Sequence, residues 1–385
     1  MAPVSVRLLD AARDVPAAEW DCRAGAGNPF ARHAFVTALE DSGSAVAETG
    51  WRPLHIVAED NAGGICGILP GYLKAHSQGE YVFDHGWADA WTRAGQRYYP
   101  KLQHATPFTP ALAPKLLAAD AETRRVLVAA SESITRENGL SSAHATFLSD
   151  ADAADFAGSG WLERNDIQYH WTNTGGWRDF DEFLGSLSSR KRKNLRKERR
   201  AALAAVDDVL WLTGADLSEA HWDDFWEFYQ DTGARKWGHP YLTREFFSLI
   251  GERMPERVIL VMARRGGRTI AGALNFLGAD CLYGRQWGCV DHVPFLHFEL
   301  CYHQAIDIAC AYGLARVEAG AQGPHKLARG YQPVLTRSMH YIADPEFRRA
   351  VADYLRRERP AIGAEARAEA GALPFRADPS EHGHG

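Results

Sequence analysis

Apolar residues interrupted by two glycine-containing turns dominate the sequence between residues 257 and 290. This stretch, RVILVMARRGGRTIAGALNFLGADCLYGRQWGCV, has its turns at 265–267 and 278–280, a pattern that predicts three antiparallel strands. A long helix is expected at about 295–312, followed by the strand ARVEAG at 315–320. A strand meander followed by a helix and another strand predicts an α+β fold.

The first half of the chain repeats this order approximately. A helix at 33–43 precedes two predicted strands, at 54–60 and 65–74, which a glycine turn joins. A second helix, at about 121–138, leads to a strand at 142–148. We therefore predict two tandem domains, each a mixed sheet flanked by helices.

The length of 385 residues exceeds that of one typical domain. Gly175 and Gly176 mark the predicted seam. We expect a first domain at 1–175, a second at 176–345 that a basic helix opens, and a C-terminal helix with a flexible tail at 346–385.

The basic helix is predicted from the run SSRKRKNLRKERR (188–200), which holds eight Lys or Arg and one acid, although the formal net charge of the chain is −6. Ser188 or Ser189 is suited to the N-cap, so four cations fall in the first turn, where the helix dipole disfavours them. A nearby anion would relieve this cost; the alternative is a solvated basic face. The candidate phosphate-binding or donor-binding residues are Arg190, Lys191, Lys193 and Arg196.

Composition bears on the compartment and on metals. No apolar run approaches the roughly 18 to 20 residues that span a bilayer, and the N-terminus lacks the apolar stretch of a signal peptide, so we expect a cytoplasmic protein. The six cysteines show no C-x-x-C spacing and are expected to be reduced thiols. His297, Glu299 and His303 lie close in sequence, but zinc motifs such as H-E-x-x-H are absent, so we expect no metal.

Several segments carry a family likeness. FDEFLGSLSSRKRKNLRKERRAA (180–202) resembles the basic segment that opens the second domain of Fem-type aminoacyltransferases, and residues 294–333 resemble a later signature of that domain. The likeness extends to NPFARHAF (28–35), LPGYLKAHSQGEYVFD (69–84), YYPKLQHATPFTP (98–110) and LPFR (373–376). The chain thus resembles the bacterial FemAB-like group, described as peptidoglycan biosynthesis or recognition proteins and related to GNAT N-acyltransferases.

The resemblance implies tandem GNAT-like domains and transfer of an acyl or aminoacyl group to an amine of a cell-wall precursor or a small molecule. It also implies an aminoacyl-tRNA or an acyl-CoA as co-substrate, with no tightly bound cofactor. GNAT enzymes that use acyl-CoA hold its pyrophosphate with an R/Q-x-x-G-x-G/A loop. Here Arg285-x-x-Gly288-x-Val290 departs from that pattern at its last position, which favours aminoacyl-tRNA.

The glycine-rich segment 320–330 offers backbone amides and two cations for an oxyanion or a phosphate. We predict Lys326 as a catalytic residue; the alternative is a surface turn with solvated charges. The substrate-binding candidates of this segment are Gln322, His325, Arg329 and Tyr331.

Three further catalytic candidates precede this segment. Glu299 and His303 are four residues apart on the predicted helix and share a face, so the pair can accept the proton of an amine. A buried pair that only fixes the helix is equally compatible with this spacing. Arg285, at the end of a predicted strand beside Trp287, is either a site residue or one half of a cation–π pair.

Polar and aromatic residues also concentrate between residues 74 and 109, a mixture that suits a groove for a sugar or peptide precursor. The alternative is a set of buried polar side chains that satisfy one another. The substrate-binding candidates are Asp84, Trp87, Tyr98, Lys101 and Thr109.

Two other classes of function remain open from the sequence. One is a non-catalytic muropeptide-recognition protein that keeps the fold without the chemistry. The other is a nucleic-acid-binding protein that uses the basic helix; the acidic net charge and the confinement of positive charge to one helix disfavour it.

Overall fold

The chain forms two compact units in the computed structural model, which describes residues 5–236, 240–320 and 323–376. The first unit comprises Met1–Asp166, Tyr241–Arg253 and Leu335–Gly363. The second unit comprises Ile167–Pro240, Met254–Val334 and Ala364–Gly385.

Strands and helices alternate along both units. The strands are β1 (Ser5–Leu9), β2 (Trp51–Pro53), β3 (His55–Glu59), β4 (Ile65–Leu69), β5 (Tyr72–Lys74), β6 (Lys101–His104), β7 (Leu117–Ala118), β8 (Ser142–Ala145), β9 (Leu162–Thr172), β10 (Asp208–Leu212), β11 (Val258–Arg265), β12 (Arg268–Leu277), β13 (Cys281–Cys289), β14 (Arg316–Glu318) and β15 (Gln332–Ile342). The helices are α1 (Ala17–Ala24), α2 (His33–Asp41), α3 (His85–Arg93), α4 (Ala121–Glu137), α5 (Asp150–Gly158), α6 (Phe180–Ser186), α7 (Ser189–Leu203), α8 (Glu219–Lys236), α9 (Arg244–Arg253), α10 (Leu296–Phe298), α11 (Gln304–Ala311) and α12 (Pro345–Ala370).

Two sets of strands build the first unit. One is an antiparallel sheet in the order β1-β3-β4-β7. The other has the order β2-β5-β6-β8-β15, in which only β6 and β8 are parallel. Helix α4 connects β7 to β8, and its Leu127 packs in a core that contains Ile56, Leu102 and Phe156. Burial of these side chains is the main force that holds the helix on the sheet.

In the second unit the strand order is β10-β11-β12-β13-β14-β9. Strands β10 to β13 form an antiparallel meander, and β14 then pairs with β13 in parallel. The parallel pairing joins only Cys281–Tyr283 to Arg316–Glu318. Strand β14 ends there while β13 continues to Cys289, so the two strands open a fork.

Glycines shape this meander at two places. Gly266 and Gly267 have φ values of 60° and 78°, which lets two residues close the turn between β11 and β12. Gly272 and Gly288 are paired neighbours on β12 and β13, and helix α8 lies against both. A Cβ atom at Gly272 would lie 2.9 Å from the ring of Phe225, and one at Gly288 would overlap the backbone of Phe228.

The helix predicted at 295–312 is present over Leu296–Ala311, but its repeat is not regular throughout. A π-helical turn, Glu299–His303, separates α10 from α11. A π turn inserts an extra residue into the helical repeat and changes which side chains share a face. Such turns often occur at functional sites.

The units are not contiguous in sequence, unlike the predicted ranges 1–175, 176–345 and 346–385. The boundary after Asp166 lies inside β9, ahead of Gly175. Helix α9 belongs to the first unit because the ring of its Phe246 packs 5.8 Å from the ring of Phe35. Strand β15 belongs to it from Leu335 onward, where Met339–Ile342 pair with β8. Helix α12, Pro345–Ala370, occupies most of the range expected for the C-terminal helix and tail. No helix in the described part of the chain is long and apolar enough to cross a membrane.

Candidate functional site

The fork between β13 and β14 holds a cleft of about 90 Å³ in the second unit, which we call the fork cleft. Strands β12 and β13, the π turn and the residue after β14 all line it. Its lining includes Asn275, Gly284, Arg285, Trp287, Tyr302 and Ala319. Because the strands diverge, backbone and side-chain groups that would otherwise pair within the sheet face an open space.

Lys326 lies beside the fork cleft. Its Nζ donates to the carbonyl oxygens of Ala319, at 2.6 Å, and Gly320, at 2.9 Å. Only 3% of the residue is exposed, and the pKa of Lys326 is lowered to about 7 by burial and, less strongly, by Arg285, while Cys301 opposes the shift. The structure thus brings Lys326 and Arg285 to the same end of β14, one beside the cleft and one in its wall.

The neighbours of Lys326 fix its segment, Pro324–Arg329, a short 3-10 helix. Tyr302 Oη and His325 Nε2 form a hydrogen bond of 3.0 Å, and Tyr331 Oη donates to the carbonyl oxygen of Tyr302 at 3.3 Å. Tyr331 is fully buried, and Arg329 is 4% exposed. His325 therefore contacts the cleft wall, whereas Arg329 and Tyr331 support the segment from inside. Gln322, the fourth candidate here, lies outside the described residues.

The structure does not bring Glu299 and His303 to the fork cleft. Both are fully buried, and His303 Nδ1 lies 2.8 Å from Glu299 Oε2. The ring of His303 stacks on Phe180 at 4.4 Å, and Gln304 Nε2 donates to Glu299 Oε1 at 2.7 Å. Burial lowers the pKa of His303, and the hydrogen bond to Glu299 opposes this. This geometry is that of a pair that fixes the helix.

Other residues also line the fork cleft, and of these Trp287 was expected near it because it follows Arg285 on the same predicted strand. Trp287 and His297 pack edge to face with ring centroids 5.2 Å apart, and Tyr302 lies 5.6 Å from His297. Gln286 lines the cleft with a buried Oε1 that has no hydrogen-bond partner in the described structure. Cys301 lines it from the π turn. Their convergence depends on the fork and the π turn, and only the fork had a signal in the sequence, the strand order.

The motif Arg285-x-x-Gly288-x-Val290 does not form a loop at a helix N-terminus. It continues β13, where Gly288 pairs with Gly272 of β12. Gly288 is needed for packing because a Cβ atom there would overlap Phe228 of α8. The backbone at Gly288 is therefore part of the sheet and not a free phosphate-binding nest.

Helix α7 begins at Ser189, and its N-cap residue Ser188 makes no side-chain capping hydrogen bond. Arg190, Lys191 and Lys193 form no ion pair with any described residue, whereas Arg196 lies 3.7 Å from Asp181. The N-terminal half of the helix therefore carries cations that nothing in the described part of the chain neutralises.

In the first unit, two lysines and two carboxylates form a buried ionic cluster. Lys101 Nζ lies 2.6 Å from Asp84 Oδ2 and 2.8 Å from Glu80 Oε1, and Lys74 Nζ lies 3.7 Å from Glu80 Oε2. None of the four is more than 2% exposed. Burial raises the pKa of Asp84, but Lys101 and His144 outweigh it and hold that pKa well below its usual range. Burial lowers the pKa of Lys74 to about 7.

A chain of hydrogen bonds continues from this cluster across the sheet. Tyr98 Oη donates to Asp84 Oδ2 at 2.6 Å and lies 3.3 Å from His144 Nε2. His144 Nδ1 lies 2.7 Å from His340 Nδ1, and burial lowers the pKa of His144 to about 3. Asp84, Tyr98, Lys101 and Lys74 belong to the cluster predicted between residues 74 and 109. Glu80 and the two histidines were not predicted, because only the fold reveals their cross-strand register.

The two remaining candidates of the first unit, Trp87 and Thr109, are engaged in contacts with other residues of that unit. Trp87 is 6% exposed, lies in an apolar cluster with Phe347 and Val351, and meets the ring of His340 at 4.9 Å. Thr109 Oγ1 donates to the carbonyl oxygen of Pro107 at 3.0 Å, within its own turn. Among residues 5–236, 240–320 and 323–376, no three His, Cys, Asp or Glu side chains are grouped to hold a metal ion.

Both units contain sheets flanked by helices, and the second unit has a fork after a parallel strand pair. This arrangement defines a GNAT-like acyltransferase fold, and the predicted α+β class is confirmed. The chain belongs to the FemAB-like family, described as peptidoglycan biosynthesis or recognition, whose model matches residues 11–377. No curated protein sequence matches it.

Solved structures share this fold at low sequence identity. FemX is similar with 12% identity and a TM-score of 0.54, over 87% of this chain and 98% of that one. The C-terminal domain of a putative lysylphosphatidylglycerol synthetase from Agrobacterium fabrum is similar with 10% identity and a TM-score of 0.53, over 88% and 96%. L-PGS from Bacillus licheniformis has 9% identity and a TM-score of 0.50, over 80% and 90%.

Proposed function

We propose that this protein is an N-acyltransferase that moves an acyl or aminoacyl group to an amine of a cell-wall precursor or a small molecule, in the fork cleft of the second unit. Membership of the FemAB-like family supports the substrate class. We place the reaction in the cytoplasm, where the six free cysteines would stay reduced.

The observation that carries the proposal is the position of Lys326. Its Nζ is bonded to the carbonyl oxygen of Ala319, which lines the fork cleft, and Arg285 lines the same cleft. In acyl transfer the amine nitrogen attacks the donor carbonyl carbon, negative charge develops on the carbonyl oxygen, and the donor oxygen or sulfur then leaves with a proton. Two cations beside a partly desolvated cleft stabilise that developing charge.

The donor we favour is an aminoacyl-tRNA. The segment that would have to bind a coenzyme A pyrophosphate is engaged in the β12–β13 ladder, and Gly288 packs against α8. Helix α7 supplies Arg190, Lys191, Lys193 and Arg196 for donor phosphates. Phosphate near these residues would relieve the unfavourable position of cations in a first helical turn.

In the first unit we retain Asp84, Trp87, Tyr98, Lys101 and Thr109 as acceptor-side candidates. Because Asp84 and Lys101 are at most 2% exposed, contact with an acceptor requires the cluster to open. In the second unit His325 is the best placed of the substrate-binding candidates, since it is bonded to Tyr302 of the fork cleft.

A donor panel tests the proposal. The purified protein is given aminoacyl-tRNAs and acyl-CoAs in turn, each with amine-bearing cell-wall precursors, and acceptor mass is followed. We expect a mass increase equal to one aminoacyl residue with a charged tRNA. Transfer from an acyl-CoA alone would contradict the tRNA donor, and no transfer from any donor would favour the muropeptide-recognition alternative.

A further inference from the structure

The C-terminal half of α7 holds the single acid of the basic run, Glu198, next to Arg199. Their side chains are only 24% and 23% exposed, whereas Arg196 on the same helix is 51% exposed. These two neighbours of opposite charge therefore face the body of the second unit, whereas Arg196, Lys197 and Arg200 are exposed.

Glu198 binds the segment that carries Lys326. Its carboxylate accepts from Arg329 Nη2, while Arg329 Nη1 donates to the carbonyl oxygen of His325 at 2.9 Å. The guanidinium also lies 3.5 Å from the ring centroid of Phe298. Burial lowers the pKa of Arg329, and Glu198 opposes this. Glu198 is thus the counter-charge of a buried arginine three residues from Lys326.

Arg199 binds the helix that contains the π turn. Its Nη2 lies 2.6 Å from Asp307 Oδ2, and its Nε lies 3.5 Å from Glu299 Oε1. Glu299 is the first residue of the π turn, which presents Tyr302 to the fork cleft. The buried Glu299–His303 pair, predicted as an acid–base couple, instead anchors this turn to α7.

We propose that Glu198 and Arg199 are positioning residues that hold the Lys326 segment and the π turn in place beside the fork cleft. The inference rests on the proposed transfer reaction, because it assigns these residues a role in its site. It also gives the single acid of the basic run a purpose: a helix of cations alone could contact a phosphate but could not hold a buried arginine.

Glu198→Gln tests this role, since glutamine keeps the shape and removes the charge. We expect kcat to fall tenfold or more, with KM for the charged tRNA changed less than threefold. Backbone amides of Lys326 and Tyr331, which donate within the segment, should exchange hydrogen at least tenfold faster. Lys197→Gln, on the same turn but with no ion pair in the described structure, should leave both readouts within twofold.

The double variant Glu198→Gln/Arg329→Gln removes both charges together and should recover part of the exchange protection, because no unpaired buried charge is left. Unchanged exchange in Glu198→Gln would overturn the inference, and so would faster exchange with unchanged kcat. If the wild-type protein transfers no acyl group from any donor, the proposed function fails and the positioning role fails with it. The exchange result would then describe stability alone.

Discussion

Lys326 Nζ donates to the carbonyl oxygen of Ala319 at 2.6 Å, at the point where β14 ends and the fork opens. This bond places an ammonium group beside the fork cleft. Burial lowers the pKa of Lys326 to about 7, so its charge changes near neutral pH. A residue that stabilises an oxyanion contributes only while it is protonated.

The rate of transfer should therefore fall as pH rises from about 7 to 9. In Lys326→Arg the side chain stays protonated over this range, so the alkaline fall should disappear even if the rate is lower. The measurement is kcat at saturating donor and constant ionic strength. An identical alkaline limb in both proteins would assign the titration to another group.

Substitution by alanine should destabilise the protein at one glycine of β13 and not at another. Gly288→Ala forces a methyl group into the backbone of Phe228 and should lower the free energy of unfolding by about 1–3 kcal/mol. At Gly284 a Cβ atom would meet Asn275 Oδ1 at 3.5 Å, an ordinary contact, so Gly284→Ala should fold normally. Urea unfolding of both variants checks this, and equal losses would contradict the packing described for α8.

The buried cluster of the first unit predicts a large loss of stability in Asp84→Asn. Lys101 would keep its ion pair with Glu80, at 2.8 Å, but lose its ion pair with residue 84. The buried cluster would then carry an excess of positive charge. Breaking such a pair costs about 3–5 kcal/mol. Asp89→Asn, at an exposed position of α3, which begins directly after Asp84, should change the free energy of unfolding by less than about 0.5 kcal/mol. Similar unfolding midpoints for the two variants would contradict the cluster.

The lowered pKa of Lys74 should make the free energy of unfolding depend on pH. Its pKa is about 7 in the folded chain and 10.5 when unperturbed, so between these values the unfolded state binds more protons. The free energy of unfolding should gain a contribution from Lys74 as pH rises from 7 towards 10. Lys326 acts in the same direction, so Lys74→Met should reduce the rise without abolishing it. Urea unfolding at pH 7, 8 and 9 measures this, and an unchanged slope would contradict it.

The cations of the basic helix α7 should make tRNA binding depend on salt concentration. Arg190→Gln/Lys193→Gln should weaken tRNA binding and reduce the slope of log Kd against log salt concentration by about 1.5–2. Arg93→Gln/Arg97→Gln, which removes two exposed cations of the first unit, is the matched control and should leave the slope unchanged. Equal slopes for both pairs would show that the tRNA contacts another surface.

Much of the fold was predictable because local signals determine it. The glycine turns around residue 266 and the periodicity of α4 depend on neighbouring residues, and both elements appear where expected. The pairing of β15 with β8 and the return of α9 to the first unit involve residues far apart in sequence. No local pattern encodes such pairings, so the predicted contiguous ranges missed them.

The candidate site, like the fold, was only partly predictable from the sequence. Lys326 and Arg285 were predicted from their residue types and strand positions, and their roles stay predictions. Glu299 and His303 were predicted to share a helix face, either as a proton-accepting pair beside a cleft or as a buried pair that fixes the helix, and the structure shows the buried pair. Tyr302 reaches the cleft from the π turn, and a sequence gives no simple signal for a π turn.

Single-turnover transfer by Lys326→Met is the most direct measurement of whether Lys326 and the fork cleft carry out acyl transfer. The wild-type protein, in excess over a charged tRNA, should pass the aminoacyl group to an amine acceptor, and the variant should do so about 10²–10³-fold more slowly while unfolding at the same or a higher temperature. Methionine removes the ammonium and keeps most of the buried chain. Equal rates for the two proteins would contradict the assignment of Lys326 and the fork cleft as the site of acyl transfer.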